Sequence, residues 1–276
     1  MSTGVTPGSW CSKCGDIEGI LSDITGVLYN SGKDGGTAIP GSIEAVAKLK
    51  AAGIPLRFCT NETQCTTIQI ANKLNRLGFS IKPDEIVAPA PAVCGFLKQR
   101  NLRPCLLVHP DVLPEFAEID TTNPNCLVVG DAGEEFNYGR MNKAFQFLVS
   151  LDEPLLISLG CGRYYKEDDT LRMDVGSFVA AFEFAADIKA EIVGKPSPAF
   201  FQQSLHTMDI RTSEKAIMIG DDIVSDVGGA QKCGLLGIMV RTGKYRPSDE
   251  PHSYVTPDGY VNNLAQFVDM FLEHRI

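Results

Sequence analysis

The stretch Gly19-Ile20-Leu21-Ser22-Asp23-Ile24-Thr25-Gly26-Val27-Leu28-Tyr29 runs from an apolar segment into a carboxylate, then into a hydroxyl residue and a glycine turn. A strand ending at Asp23 presents that side chain at the carboxyl end of a sheet, where open α/β sheets build their active sites. Taken alone, such an Asp reads more readily as a turn residue or helix cap. Gly26 with Leu28-Tyr29 adds a tight turn and a short hairpin beside the carboxylate. Three distant segments have the same character: Cys59-Thr60-Asn61 after an apolar run, Gly194-Lys195-Pro196, and Gly220-Asp221-Asp222-Ile223-Val224-Ser225-Asp226. A carboxylate nucleophile, a hydroxyl, a lysine and an acidic cluster, each beside an apolar strand, form a phosphoryl-transfer constellation.

Working outward, β-like runs alternate with helical patterns. Strands are expected at Gly19–Asp23, Pro55–Thr60, Cys105–Val108, Cys126–Val129, Leu155–Leu159, Ala190–Val193, Ala216–Gly220 and Gly237–Val240. Helices are expected at Ser42–Ala51, Thr63–Leu77, Ala92–Gln99, Met141–Ser150, Phe178–Ala186, Pro198–Met208, Ser225–Lys232 and Asn263–His274. Such alternation implies parallel sheets with crossover helices. Two proline-rich stretches, Pro83–Pro91 and Lys189–Pro198, have boundary character. The segment between them, roughly 100 residues, is of domain size. The expected architecture is therefore a doubly wound, Rossmann-like parallel-sheet core with an inserted α/β cap domain. Residues 1–18 form a flexible tail, 19–86 and 191–276 the core, and 87–190 the cap. All catalytic candidates fall on the core side.

Composition narrows the function classes. The chain has 276 residues, 44% hydrophobic and 21% charged, and a net charge of -9. That acidity argues against nucleic acid or an anionic membrane as the main partner. It also calls for local positive groups, a metal cation among them, if the substrate is an anion. No apolar stretch reaches membrane-spanning length, and the first residues lack a signal-peptide pattern. The nine cysteines are scattered and odd in number, as reduced thiols in a cytoplasmic protein would be.

Each motif has a chemical use and a bland alternative. Asp23 can attack phosphorus and hold the group as an acyl phosphate, dividing one hard displacement into two easier ones. Thr60 and Asn61 can donate hydrogen bonds to phosphate oxygens, or simply cap the helix that follows. Lys195 can neutralise phosphate charge, although an isolated lysine is usually just solvated. Asp221, Asp222 and Asp226 lie within six positions and repel one another unless a cation or protons sit among them. Oxygen-only ligands suit Mg²⁺. A helix dipole alone accounts for one or two acids there.

In order and spacing the motifs resemble those of the haloacid dehalogenase-like hydrolase superfamily. Asp23, Thr60, Lys195, Asp221 and Asp226 match its strand-end Asp, strand-end Thr/Ser, Lys and acidic pair, and the likeness spans nearly the whole chain from Gly19. The resemblance implies an Mg²⁺-dependent phosphohydrolase with an aspartyl-phosphate intermediate on Asp23. It implies metal ligation by Asp23, the Thr25 carbonyl, Asp221 and Asp226. Substrate contacts come from Asp23, Ile24, Thr25, Thr60, Asn61 and Lys195. A homodimer in the cytoplasm and nucleus completes the expectation.

One position departs from the family pattern, which puts an Asp two residues after the nucleophile as general acid. Here Thr25 stands there, and losing a general acid typically costs ~10²–10⁴-fold. Leaving groups that need little help are then favoured: phosphate from pyrophosphate, or the nitrogen of phospholysine or phosphohistidine, including phosphohistidine on proteins. The alternatives are a phosphatase of small phosphoesters with the same core and cap, and a non-catalytic phosphate-binding module. Arg163, Tyr164 and Lys166 read as ordinary cap-surface residues. Cys11-Ser12-Lys13-Cys14 imitates a redox motif but lacks its βαβ setting.

Overall fold

The computed structural model describes residues 9–32, 35–167, 170–250 and 252–275. They form two compact units. The first comprises residues up to Thr60, Ala71–Ile86 and Pro198 onward; the second comprises Asn61–Ile70 and Val87–Ser197.

The first unit is built on a six-stranded sheet in the order Gly259–Val261, Leu236–Val240, Ala216–Gly220, Gly19–Asp23, Leu56–Cys59, Ile86–Val87. Gly19–Asp23 lies parallel between Ala216–Gly220 and Leu56–Cys59. Every residue of the Gly19–Asp23, Ala216–Gly220 and Leu236–Val240 strands is buried, as a parallel sheet covered on both faces requires. Phe58, Phe200, Phe201, Phe267 and Phe271 are among its largest fully buried side chains. Each contributes about 1.5–3 kcal/mol of burial. The expected hairpin beside Asp23 is present, with Tyr29–Asn30 paired antiparallel to Thr37–Ala38.

The N-terminus departs from expectation. In place of a mobile tail, Ser9–Asp16 forms a 3-10 helix, while residues 1–8 lie outside the described residues. Trp10 is 1% exposed and stacks on Phe267 with ring centroids 5.2 Å apart. Arg275 donates to the Ile17 carbonyl at 2.5 Å. Cys14 is fully buried, and burial pushes its thiol up to about 12, far from the thiolate that redox exchange uses. The Gly259–Val261 strand, unexpected from sequence, fits here because a Cβ at Gly259 would strike the Trp10 indole.

The second unit has its own parallel sheet, ordered Glu191–Ile192, Leu156–Ser158, Cys126–Val129, Pro104–Leu107. Two buried apolar clusters cover it, one around Val93, Leu97, Val128 and Ile157, the other around Leu127, Leu148, Leu156 and Phe182. Pro89 and Pro91 open the Pro89–Arg100 helix three residues before the expected start, because proline in a first helical turn forfeits no hydrogen bond. An antiparallel ribbon, Tyr164–Glu167 with Thr170–Met173, was not foreseen. Arg163 and Tyr164 are exposed, and the Lys166 side chain lies outside the described residues. No described helix is long and apolar enough to cross a membrane.

Candidate active site

Strand register brings the acidic motifs together. Asp23 pairs with Cys59, and Ser22 with Ile219. Asp23, Thr60 and Asp221 therefore emerge at one carboxyl edge of the sheet, where the topology favours a site. Asp23 and Thr60 are each 6% exposed, Asp221 3% and Asp226 1%.

Asp23, Asp221 and Asp226 each direct a carboxylate oxygen so that all three lie within 4.8 Å of one another. Burial first, then the charges of Asp23 and Asp226, drive the Asp221 carboxyl well above its ordinary value. Three buried carboxylates at this spacing are stable as anions only around a cation. The all-oxygen donor set fits a hard ion such as Mg²⁺. Asp222 turns away: its Oδ1 caps the following turn, accepting from Val224 N–H at 3.1 Å and Ser225 N–H at 2.9 Å. The Asp222 N–H donates to Asp226 Oδ2 at 3.2 Å, which orients that carboxylate.

A segment that the sequence did not single out completes the wall. After the Leu236–Val240 strand, the turn Thr242-Gly243-Lys244 donates the Lys244 backbone N–H to Asp221 Oδ2 at 2.7 Å. The Thr242 hydroxyl donates to the Gly26 carbonyl at 2.5 Å. Gly26 (φ 90) and Gly243 (φ 62) both take backbone that favours glycine. At either position a Cβ would run into the Asp221 carboxylate. The Lys244 ammonium reaches Asp222 Oδ2 at 3.3 Å. Burial pulls Lys244 down, but the surrounding aspartates, Asp222 foremost, outweigh this and raise it.

At Thr25 the side chain is exposed, and its hydroxyl lies 3.4 Å from the Tyr29 hydroxyl. Tyr29 also accepts from Lys73 Nζ at 2.9 Å, with the ammonium 4.6 Å from the ring centroid. Ile24 buries its side chain and its carbonyl accepts from Leu28 N–H at 2.9 Å.

Asn61 and Lys195 belong to the second unit. The Asn61 carboxamide grips the Lys195 backbone on both sides, accepting from its N–H at 2.9 Å and donating to its carbonyl at 3.0 Å. Lys195 is 3% exposed, far from the solvated lysine of the bland reading, and its peptide bond to Pro196 is cis. The Asn61 side chain thus seats Lys195, a role that spacing alone did not suggest.

Residues 20–133 match the family profile of the haloacid dehalogenase-like hydrolases, and residues 192–267 a second HAD-hydrolase-like profile. Over 265 residues the chain is 56% identical to the phospholysine phosphohistidine inorganic pyrophosphate phosphatase of Homo sapiens, covering 96% of this chain and 98% of that one. This chain belongs to the haloacid dehalogenase-like hydrolases. The Xenopus laevis protein of the same name is also 56% identical, over 93% of this chain and 95% of that one. Among solved structures, the fold is similar to the 4-nitrophenylphosphatase of Thermotoga maritima. Their TM-score is 0.84 at 25% identity, covering 93% of this chain and 98% of that one. The family member described here is a hydrolase of the phosphatase type.

Proposed function

We propose that this phosphatase hydrolyses inorganic pyrophosphate and P–N compounds, phospholysine and phosphohistidine among them, through an aspartyl-phosphate on Asp23. The observation that carries this reading is the buried Asp23–Asp221–Asp226 cluster beside a position +2 that holds threonine. Asp23 sits at a sheet edge with a carboxylate oxygen aimed into the cluster, in place to attack phosphorus and expel the leaving group. A bound Mg²⁺, held by Asp23, Asp221, Asp226 and the Thr25 carbonyl, would supply positive charge against the phosphoryl oxygens. Thr60 offers its hydroxyl to the phosphoryl group and Ile24 its backbone N–H, and by the family resemblance Lys195 would supply the ammonium. Thr25 gives no proton of useful acidity, so turnover depends on a leaving group that departs unaided. The names of the relatives agree with these two substrate types. A homodimer belongs to the same reading, and light scattering tests it.

The likeness to a 4-nitrophenylphosphatase favours small phosphoesters as the second reading. A substrate panel separates the two: kcat/KM on pyrophosphate and phosphoramidate should exceed that on alkyl phosphates, and equal values would overturn the leaving-group argument. Asp23→Asn should abolish phosphate release by more than ~10³-fold. Undiminished release by that variant would leave a module whose phosphate chemistry lies elsewhere.

A further inference from the structure

The Thr242–Lys244 turn touches three parts of the acidic site without belonging to any motif of the sequence. Its threonine holds the Gly26 carbonyl, its lysine N–H holds Asp221, and its ammonium rests on Asp222. Asp222 in turn orients Asp226 through its backbone N–H. The ammonium is therefore the positive group that the sequence places against the acidic cluster from the Leu236–Val240 side. Its side chain is also two-thirds exposed, at 66%, with the Asp222 ion pair as its tether among the described residues. A charge in that position has opposite effects in the two states of the site. With no cation bound it relieves carboxylate repulsion; with a cation bound it adds a like charge.

We propose that Lys244 sets the affinity of the carboxylate site for its divalent cation, stabilising the metal-free protein and weakening metal uptake. This rests on the metal reading given above. The residue acts through Asp222 and Asp221 and is a positioning and tuning residue, not a catalytic one.

The test measures Mg²⁺ binding directly, by calorimetric titration of the full chain in the wild type, Lys244→Gln and Lys244→Arg. The Gln variant keeps the backbone N–H to Asp221 and removes only the charge. It should bind Mg²⁺ roughly two- to fivefold more tightly, the scale of one partly exposed charge. Lys244→Arg should restore the wild-type value. In a chelator Lys244→Gln should melt below the wild type, and saturating Mg²⁺ should close that gap. A lysine that merely braced the turn would lower melting equally in both conditions. Should the Gln variant fold poorly, Lys244→Met, which keeps the aliphatic stem, carries the same expectation. Unchanged or weaker binding in the charge-removing variants, with normal wild-type uptake, overturns the inference alone. No uptake by the wild type overturns the metal reading and this inference with it.

Discussion

At the scale of single residues, the proposed preference for easily expelled leaving groups turns on Thr25. Its hydroxyl is exposed beside Tyr29 and Lys73, at the position where the family pattern places a proton donor. Thr25→Asp should raise kcat/KM on alkyl phosphates by up to ~10²-fold and leave pyrophosphate hydrolysis nearly unchanged. Steady-state kinetics on the two substrates checks this, and a uniform gain would show that the new carboxylate acts on something other than the leaving group. Asp23 and Asp221 were legible in the sequence because each ends or directly follows an apolar run that reads as a buried strand, and Asp226 because it recurs one helical turn beyond Asp222. The Asn61 role was not legible. Nothing local shows that its carboxamide would be spent on a backbone 134 positions away.

At the scale of elements, the strands Gly19–Asp23, Cys126–Val129 and Ala216–Gly220 emerge where their apolar runs begin and end. Short or half-exposed pieces escaped: Ile86–Val87 has two residues and Gly259–Val261 three, too few for a period to show. The Ser9–Asp16 helix hid behind a Gly, Ser, Thr and Pro composition that normally marks a tail. Its energy comes from Trp10 packing on Phe267, so Trp10→Ala should cost about 3–5 kcal/mol. Denaturant unfolding measures that cost, and a loss below 1 kcal/mol would return the segment to the status of a loose tail. The Thr242–Lys244 turn escaped for another reason. Thr-Gly-Lys has the composition of any loop, and only the strand order shows that it meets Asp221. Gly243→Ala should push the Asp221 carboxylate out of place and weaken Mg²⁺ binding by about 10–100-fold, as loss of a ligand's supporting contacts typically does. Calorimetry reads the change directly, and wild-type affinity would mean that the turn adapts.

For the whole molecule, acidity and fold interact through the cluster. Native Asp221 holds its proton well above the ordinary value of 3.8, through burial and its acidic neighbours. The native state therefore binds more protons than the unfolded chain above about pH 4, and stability must fall as pH rises through that window. In a chelator this contribution lowers the melting temperature as pH rises above about 4. Saturating Mg²⁺ favours the ionised carboxylates and removes the penalty, so the gap between the two melting curves should widen with pH. Parallel curves would show that the cluster is neutralised in some other way. The alternation of strands and helices made the parallel α/β fold legible from composition and period, while the 242–244 wall and the buried N-terminal helix depend on contacts between distant parts of the chain.

The Asn61 carboxamide grips the main chain of Lys195 and asks nothing of its side chain. The peptide at position 195 is therefore held independently of the side chain it carries. Noncanonical lysine analogues of graded basicity, installed there, would vary the proton affinity of one ammonium without shifting the peptide that carries it.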